Sequence, residues 1–128
     1  MLNFLEKHKK VAVYLPLISF WLVLLVATSL PSKDIPNIKL NDKIEHLFAY
    51  FILGFLFNLA LLVQNKFKFL KEKAFSSTIV LLGIYAVIDE LHQLFIPGRE
   101  CSFFDWSADI IGIVFGVLVV YLLLKKFN

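Results

Sequence analysis

The segment "VAVYLPLISFWLVLLVATSL", residues 11–30, contains 20 residues and no charge. A helix of that length is about 30 Å long, which matches the hydrocarbon core of a bilayer. A helix at the surface of a soluble bundle needs a polar outer stripe, and this segment has almost none. It also contains Pro16, which membrane helices tolerate better than soluble ones. The segment therefore predicts a transmembrane helix.

Three further apolar segments follow, at 44–63, 74–95 and 106–124, and short polar connections separate them. Short connections favour neighbouring helices that run antiparallel. The 128-residue chain is 59% hydrophobic and only 18% charged, whereas about 25% of residues are charged in soluble domains. The sequence predicts an all-α fold, a four-helix transmembrane bundle of up-down topology, formed by a single domain over residues 1–128.

A cleaved signal peptide is the alternative for the first apolar segment. Lys9 and Lys10 would be its basic flank, and "ATS" a small-residue cleavage site. The apolar core of such signals is about 7–15 residues long, so a segment of 20 residues favours retention in the membrane. Cleavage would leave the orientation of the other three spans unchanged.

Basic residues are divided unevenly between the two ends of the predicted bundle. With a cytoplasmic N-terminus, nine of the 13 fall on the inner side, and the outer side holds Lys33, Lys39, Lys43 and Arg99. An excess of lysine and arginine in cytoplasmic connections sets the orientation of membrane proteins. We therefore predict a membrane protein with cytoplasmic N- and C-termini. The lipid bilayer is the expected partner, and no nucleic acid is expected.

Polar residues collect at the outer ends of the second and fourth spans. Asp42 and His46 are separated by four residues and share one helix face, which continues through Tyr50. Asp105 and Asp109 have the same spacing at the start of the fourth span. A carboxylate buried at such a position must be paired, protonated or bound to a ligand. These faces are expected to point into one outward-facing pocket.

The outer end of the third span supplies a second set of polar groups. Glu90 and Gln93 share a stripe with small residues and are expected to face the bundle. Asp89 is turned from Glu90 by about 100° around the helix, so the two carboxylates are not expected to point inward together. Asp89, Glu45 and Glu100 are instead expected to face water or lipid head groups.

Two features of the apolar segments concern packing. Gly112 and Gly116 form a G-x-x-x-G spacing, which allows two helices to approach closely. Asn58 lies in the middle of the second span, where an interhelical hydrogen bond is expected.

A Pro97-Gly98 pair follows the third span and predicts a turn.

Three stretches together resemble the VanZ-like family of small bacterial membrane proteins: "DKIEHLFAYFILG" (42–54), "IDELHQLFIPGR" (88–99) and "FFDWSADIIGIVFG" (104–116). Asp109 stands where the family commonly has asparagine. The family is named for a protein associated with low-level resistance to teicoplanin, so the resemblance implies a role in the cell envelope. The residues that the family pattern marks are Asp42, His46, Tyr50, Glu90, His92, Gln93, Arg99 and Asp105.

Three functions are consistent with this site. An enzyme acting on a lipid-linked or cell-wall substrate would use His46 or Glu90 as general acid or base, with Asp42 orienting His46. A binder of an envelope lipid, a wall precursor or a lipoglycopeptide would use Arg99 and the carboxylates to recognise the head group. A structural bundle or partner subunit would use the polar cluster only to fix helix packing. The binding residues predicted are Tyr50, His92, Gln93, Arg99, Asp105 and Asp109.

No cofactor is predicted. The histidines and carboxylates at the outer side are suitable ligands for a divalent metal, but no spacing such as H-E-x-x-H specifies one. The sequence predicts no particular oligomeric state.

Overall fold

The computed structural model describes residues 1–34 and 42–127, so Pro36 and Lys39 of the first outer connection lie outside the described residues. The described part is helical and contains no strand. A π-helical turn, Lys10–Tyr14, ends two residues before Pro16, which has no backbone N–H to donate to the helix. The α-helices are α1 (Leu2–Lys7), α2 (Leu15–Ser29), α3 (Asp42–Val63), α4 (Lys68–Glu72), α5 (Ala74–Gln93) and α6 (Phe103–Phe127).

Within residues 1–34 and 42–127, four helical segments are long and apolar enough to cross a membrane: Lys10–Ser29, Asp42–Val63, Ala74–Gln93 and Phe103–Phe127. Large apolar side chains are exposed along all four, while charged side chains are buried between them at one end. Water-soluble proteins show the opposite distribution, because exposed apolar surface and buried charge both cost free energy in water. The predicted all-α bundle of four membrane spans is confirmed.

The ends of the helices show the up-down topology. The start of α3 (His46) meets the end of α5 (Glu90) and the start of α6 (Asp109) at one end of the bundle. At the opposite end, Lys9 Nζ before the first span donates to the carbonyl of Val63 at the end of α3, at a distance of 3.5 Å. Consecutive spans are therefore antiparallel, and the polar cluster and the lysine-rich segments lie at opposite ends.

The short helices α1 and α4 meet at the lysine-rich end. Lys71 Nζ of α4 lies 2.8 Å from Glu6 Oε1 of α1, and it also donates to Asn65 Oδ1. The hydrogen bond and positive charge of Lys71 hold the pKa of the Glu6 carboxyl below its usual range. Both partners are partly exposed, so this contact positions α1 more than it stabilises the bundle.

The most extensive packing in the bundle joins α3 and α6. Gly116 lies so close to α3 that an added Cβ would be 2.5 Å from the carbonyl oxygen of Phe51 and 2.6 Å from the amide nitrogen of Phe55. A Cβ on Gly112 would lie 2.9 Å from Phe51 N. Backbone atoms cannot move aside as a side-chain tip can, so only glycine allows this approach. The prediction that the G-x-x-x-G spacing serves tight packing is confirmed.

Asn58 connects α3 to α5 in the middle of the bundle. Its side chain is fully buried, and Nδ2 donates to the carbonyl of Ala74 at 3.0 Å and to Thr78 Oγ1 at 2.9 Å. The predicted interhelical hydrogen bond is therefore present. Because an apolar surrounding offers no other partner for these groups, the bond fixes how far α5 is shifted along α3.

Candidate functional site

His46, one turn into α3, lies between two buried carboxylates from two other helices. Its Nδ1 is 2.9 Å from Asp109 Oδ1 of α6 and 3.8 Å from Glu90 Oε1 of α5. The side chains of Asp109 and Glu90 are 0% and 3% exposed, and that of His46 is 10% exposed. We call these three residues the His46 cluster. At Nδ1 the partner of His46 is Asp109, whereas the sequence suggested Asp42 as its orienting residue.

One oxygen of each carboxylate in the His46 cluster is left without a partner. Glu90 Oε1 and Asp109 Oδ2 are buried and accept no hydrogen bond from any of the described residues. The other oxygen of Glu90, Oε2, accepts a hydrogen bond from the backbone N–H of Ser102 at 2.9 Å. Glu90 is thus held at one oxygen while the other remains open toward His46.

Ser102 is a contributor that the sequence reasoning missed. Its Oγ accepts a hydrogen bond from the amide of Asp105 at 3.4 Å, so it caps the start of α6 while its own amide holds Glu90. The sequence contains the relevant signal, because Ser102 and Asp105 have the S-x-x-D spacing of a helix N-terminus. That pattern places the start of α6 beside Glu90 only once the fold is known.

Asp89 corrects one of the sequence-based expectations. Its carboxylate is buried, with 3% of the residue exposed, and Oδ2 accepts a hydrogen bond from the Tyr50 hydroxyl at 2.9 Å. The expectation that Asp89 faces water or head groups is wrong. Three helices, α2, α3 and α6, pack against α5. Adjacent carboxylates can therefore both be buried: Asp89 meets Tyr50 of α3, and Glu90 meets the Ser102 amide before α6 as well as His46 of α3.

Asp105 forms an ion pair with Lys43. Lys43 Nζ lies 3.0 Å from Asp105 Oδ1, and their side chains are 48% and 8% exposed. The sequence assigned Lys43 only to the topology of the chain and gave it no place in the site. In the structure it supplies a positive charge at the outer edge of a strongly acidic region.

The predicted turn lies at the end of α5. The amide of Arg99 donates to the carbonyl of Ile96 at 3.1 Å, and Gly98 has a φ of 76°. A positive φ at the third position of such a turn favours glycine, and proline suits the position before it. The Pro97-Gly98 turn directs Arg99 back toward the end of α2.

Arg99 completes the end of α2. Its Nη2 donates to the carbonyl of Ala27 at 3.0 Å, and its Nε donates to that of Leu30 at 3.4 Å. The last carbonyls of a helix have no partner within it, and a positive charge there is favoured by the helix dipole. Arg99, for which the sequence analysis predicted a part in head-group recognition, holds the first span to the rest of the site.

A cavity of about 140 Å³ opens between α2, α3 and α5 beside the His46 cluster. A second, wider cavity of about 350 Å³ lies at the end of the bundle and shares Asp42, Gln93 and Arg99 with the first. His92 is half-buried on α5 and lines neither of these two cavities. The first is lined by Leu24, Ala27, Thr28, Asp42, Glu45, His46, Ala49, Tyr50, Asp89, Gln93 and Arg99.

Two groups of side chains in the described part of the chain bring metal-ligating atoms within 4.8 Å of one another. One is the His46 cluster. The other combines His46 with Asp42 and Asp105. The second group is weaker, because Asp42 is exposed and Asp105 already pairs with Lys43.

The chain matches one family model over most of its length. A family model described as VanZ/LLP1 matches residues 3–124. The chain belongs to this family. The VanZ/LLP1 match includes all three stretches that carry the resemblance and every residue of the His46 cluster. Comparison with curated proteins and with solved structures gave no match.

Proposed function

We propose that this VanZ/LLP1 protein binds the head group of a lipid-linked cell-wall component at the outer face of the bacterial cytoplasmic membrane. The cavity beside His46 carries the proposal, because its walls are of two kinds. Leu24 and Ala27 of α2 form an apolar wall, and Tyr50 and Gln93 form a polar one. A ligand with a polar head and a lipid chain has the same division.

The orientation in the membrane is part of this proposal. The His46 cluster lies at the end of the bundle with few lysines, opposite the segments that hold Lys9 and Lys71. By the positive-inside rule, the lysine-rich end with both termini is cytoplasmic and the cluster is external. The site would then face the side of the membrane on which wall precursors are assembled and lipoglycopeptides such as teicoplanin arrive.

His46 is the group best placed to move a proton in such a site. It lines the cavity, and its Nδ1 is held by Asp109 at 2.9 Å. A carboxylate at one ring nitrogen fixes the orientation of an imidazole and leaves the other nitrogen for a ligand. We assign His46 and Glu90 as the acid and base groups of any reaction at this site, with Asp109 as the positioning residue. Asp42 would act at the mouth of the cavity.

A second candidate function is a structural bundle or partner subunit whose polar cluster only fixes helix packing. The observation that favours it is the number of polar contacts that join helices to one another: Tyr50–Asp89, Lys43–Asp105 and His46–Asp109. Contacts of this kind hold membrane helices in register without any ligand.

Two substitutions separate these functions. His46→Ala and Glu90→Gln should abolish the envelope or resistance phenotype while the protein still inserts and accumulates. The matched control is Glu72→Gln, which makes the same acid-to-amide change on an exposed side chain in α4 at the other end of the bundle. Loss of both site variants from the membrane, with the control retained, would favour the structural function.

Catalysis and binding are separated with purified protein. The chain in detergent is incubated with radiolabelled lipid-linked wall precursors, and the products are resolved by chromatography. A changed product that disappears in His46→Ala indicates an enzyme, and unaltered precursor that co-purifies with the wild type indicates a binder. The proposal would be contradicted if the protein neither changed nor retained the precursor and its loss caused no phenotype. Teicoplanin in place of the precursor tests the lipoglycopeptide form of the same proposal.

A further inference from the structure

The His46 cluster has an imbalance of charge that its own residues do not resolve. Glu90 and Asp109 are both buried, and they share one imidazole between them. Lys43 is directed to Asp105, and Arg99 is directed to the end of α2. A carboxylate without a compensating charge is strongly disfavoured in a buried position. A proton or a bound cation would supply the missing positive charge.

The unpartnered atoms show where that charge belongs. Glu90 Oε1 and Asp109 Oδ2 are both buried without a hydrogen-bond partner in the described part of the chain. Glu90 Oε1 is directed at His46 Nδ1 from 3.8 Å, and Asp109 Oδ1 approaches the same nitrogen at 2.9 Å. His46 Nδ1 is thus approached by oxygen atoms from two other helices, and one ligand atom from each of the three side chains lies within 4.8 Å of the others.

From this convergence we propose that His46, Glu90 and Asp109 bind a divalent transition-metal cation. Zinc takes nitrogen and oxygen ligands at about 2.0–2.2 Å, so neighbouring ligand atoms in a tetrahedral site are about 3.3–3.5 Å apart. The two distances measured from His46 Nδ1, 2.9 Å and 3.8 Å, lie on either side of this spacing. The cation replaces the proton shared by Nδ1 and Asp109 Oδ1, so in the metal-bound protein His46 and Glu90 act as ligands and not as acid and base groups.

The surroundings of Glu90 match those of a metal ligand. Its Oε2 is fixed by the Ser102 amide at 2.9 Å, which leaves Oε1 as a single, oriented donor atom. Hydrogen bonds of this kind orient ligating carboxylates in metal sites. One imidazole with two carboxylates favours Zn²⁺ or Mn²⁺ over Mg²⁺ and Ca²⁺, which prefer oxygen ligands alone. With three protein ligands, a fourth position remains for water or a ligand.

Direct metal binding tests this site without any substrate. The full chain is purified in detergent through a tag that contains no histidine, exposed to Zn²⁺ or Mn²⁺ and desalted, and its metal content is measured by mass spectrometry. We expect about one equivalent per chain, and a thermal midpoint that rises with the metal, because binding to the folded state stabilises it. Less than about one tenth of an equivalent in the wild type would overturn the proposal.

Variants assign the ligands. Glu90→Gln and Asp109→Asn keep the shape of the side chain and should each weaken binding at least about 100-fold, since even a lost supporting hydrogen bond costs about 10–100-fold. Glu72→Gln is the matched control, because it makes the same acid-to-amide change on an exposed side chain at the other end of the bundle, and it should bind as the wild type does. Equal binding by all variants would indicate an adventitious metal only. Loss in Asp42→Asn with retention in Glu90→Gln would assign the metal to the other group and overturn this proposal.

The metal site and the proposed function can fail separately. Metal content and thermal midpoint are measured without lipid, precursor or antibiotic. If the protein binds the metal but has no envelope phenotype, the metal site stands and the proposed function fails. If it has the phenotype but binds no metal, the proposed function stands and the metal site fails.

Discussion

Gly116→Ala is expected to destabilise the bundle by forcing α3 and α6 apart. The added Cβ would lie 2.5 Å from Phe51 O and 2.6 Å from Phe55 N, both of them backbone atoms of α3. Non-bonded atoms involving carbon are comfortable at about 3.5 Å, so the two helices must separate locally by about 1 Å. The same spacing sets the distance from His46 to Asp109, because these residues belong to the same two helices.

The magnitude follows from these distances. Overpacking a tight contact costs about 1–3 kcal/mol. A separation of about 1 Å would also stretch the 2.9 Å contact between His46 and Asp109 beyond hydrogen-bond range. A hydrogen bond to a charged group contributes about 1.5–3 kcal/mol. Because the strain is partly relieved as that bond lengthens, we expect a total loss of about 2–4 kcal/mol.

Gly83→Ala is the matched control. It makes the same change within a spanning helix, but its Cβ would meet only the side-chain tip of Ile110, at 3.2 Å. The side-chain tip of Ile110 can move aside. Alanine favours a helix over glycine by about 1 kcal/mol, and because both variants gain this amount, it cancels when their stabilities are compared. The control should be as stable as the wild type or slightly more so.

Unfolding in mixed micelles of mild detergent and sodium dodecyl sulfate measures the difference in stability between the two variants. Tryptophan fluorescence follows the unfolding, because Trp21 packs edge-on against Phe57 and Tyr85, with ring centroids 5.7 Å and 5.1 Å away. Gly116→Ala should unfold at clearly lower denaturant than Gly83→Ala. If the two variants differ by less than about 0.5 kcal/mol, the close approach of α3 and α6 does not hold the site together.

Three further outcomes are expected. Tyr50→Phe leaves the buried Asp89 without its hydroxyl donor and should cost about 1–3 kcal/mol; a double-mutant cycle with Asp89→Asn should recover part of that loss, and strict additivity would contradict the contact. Arg99→Lys should speed hydrogen exchange at the end of α2 nearly as much as Arg99→Gln, because lysine cannot reproduce two donors in a fixed fork; rescue by lysine would show that charge alone is needed. Cys101 is exposed in the connection before α6, so a membrane-impermeant maleimide should label it in intact cells; labelling only after the cells are opened would reverse the proposed orientation.

The partner of His46 shows why the sequence predicts the site only in part. Spacing along one helix correctly identified His46, Asp109 and Glu90 as inward-facing groups, because the helical repeat determines which residues share a face. It suggested Asp42 as the partner of His46, since that pair is four residues apart on one helix. The structure brings Asp109 to Nδ1 from another helix, while a carboxylate oxygen of Asp42 lies within 4.8 Å of a ring nitrogen of His46. That contact depends on the separation of α3 and α6, which spacing along a single helix does not contain.

Asp89 and Arg99 also show which features the sequence predicts and which depend on the packing of the helices. A repeat of 3.6 residues places Asp89 and Glu90 on different faces of α5, and this is correct. Whether a face is covered depends on how many helices surround α5. Here α2, α3 and α6 pack against it, and both Asp89 and Glu90 are buried. Arg99 was recognised as a basic residue after a turn, but its contact with the carbonyls of Ala27 and Leu30 crosses about 70 residues of chain.

The sequence by itself determined the four spans and their up-down order. Both are local properties, since the length of an apolar run sets whether it crosses the membrane, and short connections force neighbours to be antiparallel. Only the tertiary structure decided which buried carboxylates meet His46, which one meets Tyr50, and which oxygen atoms remain without partners. Those outcomes depend on the rotation and separation of the helices, which the backbone contacts at Gly112 and Gly116 set to within about an ångström.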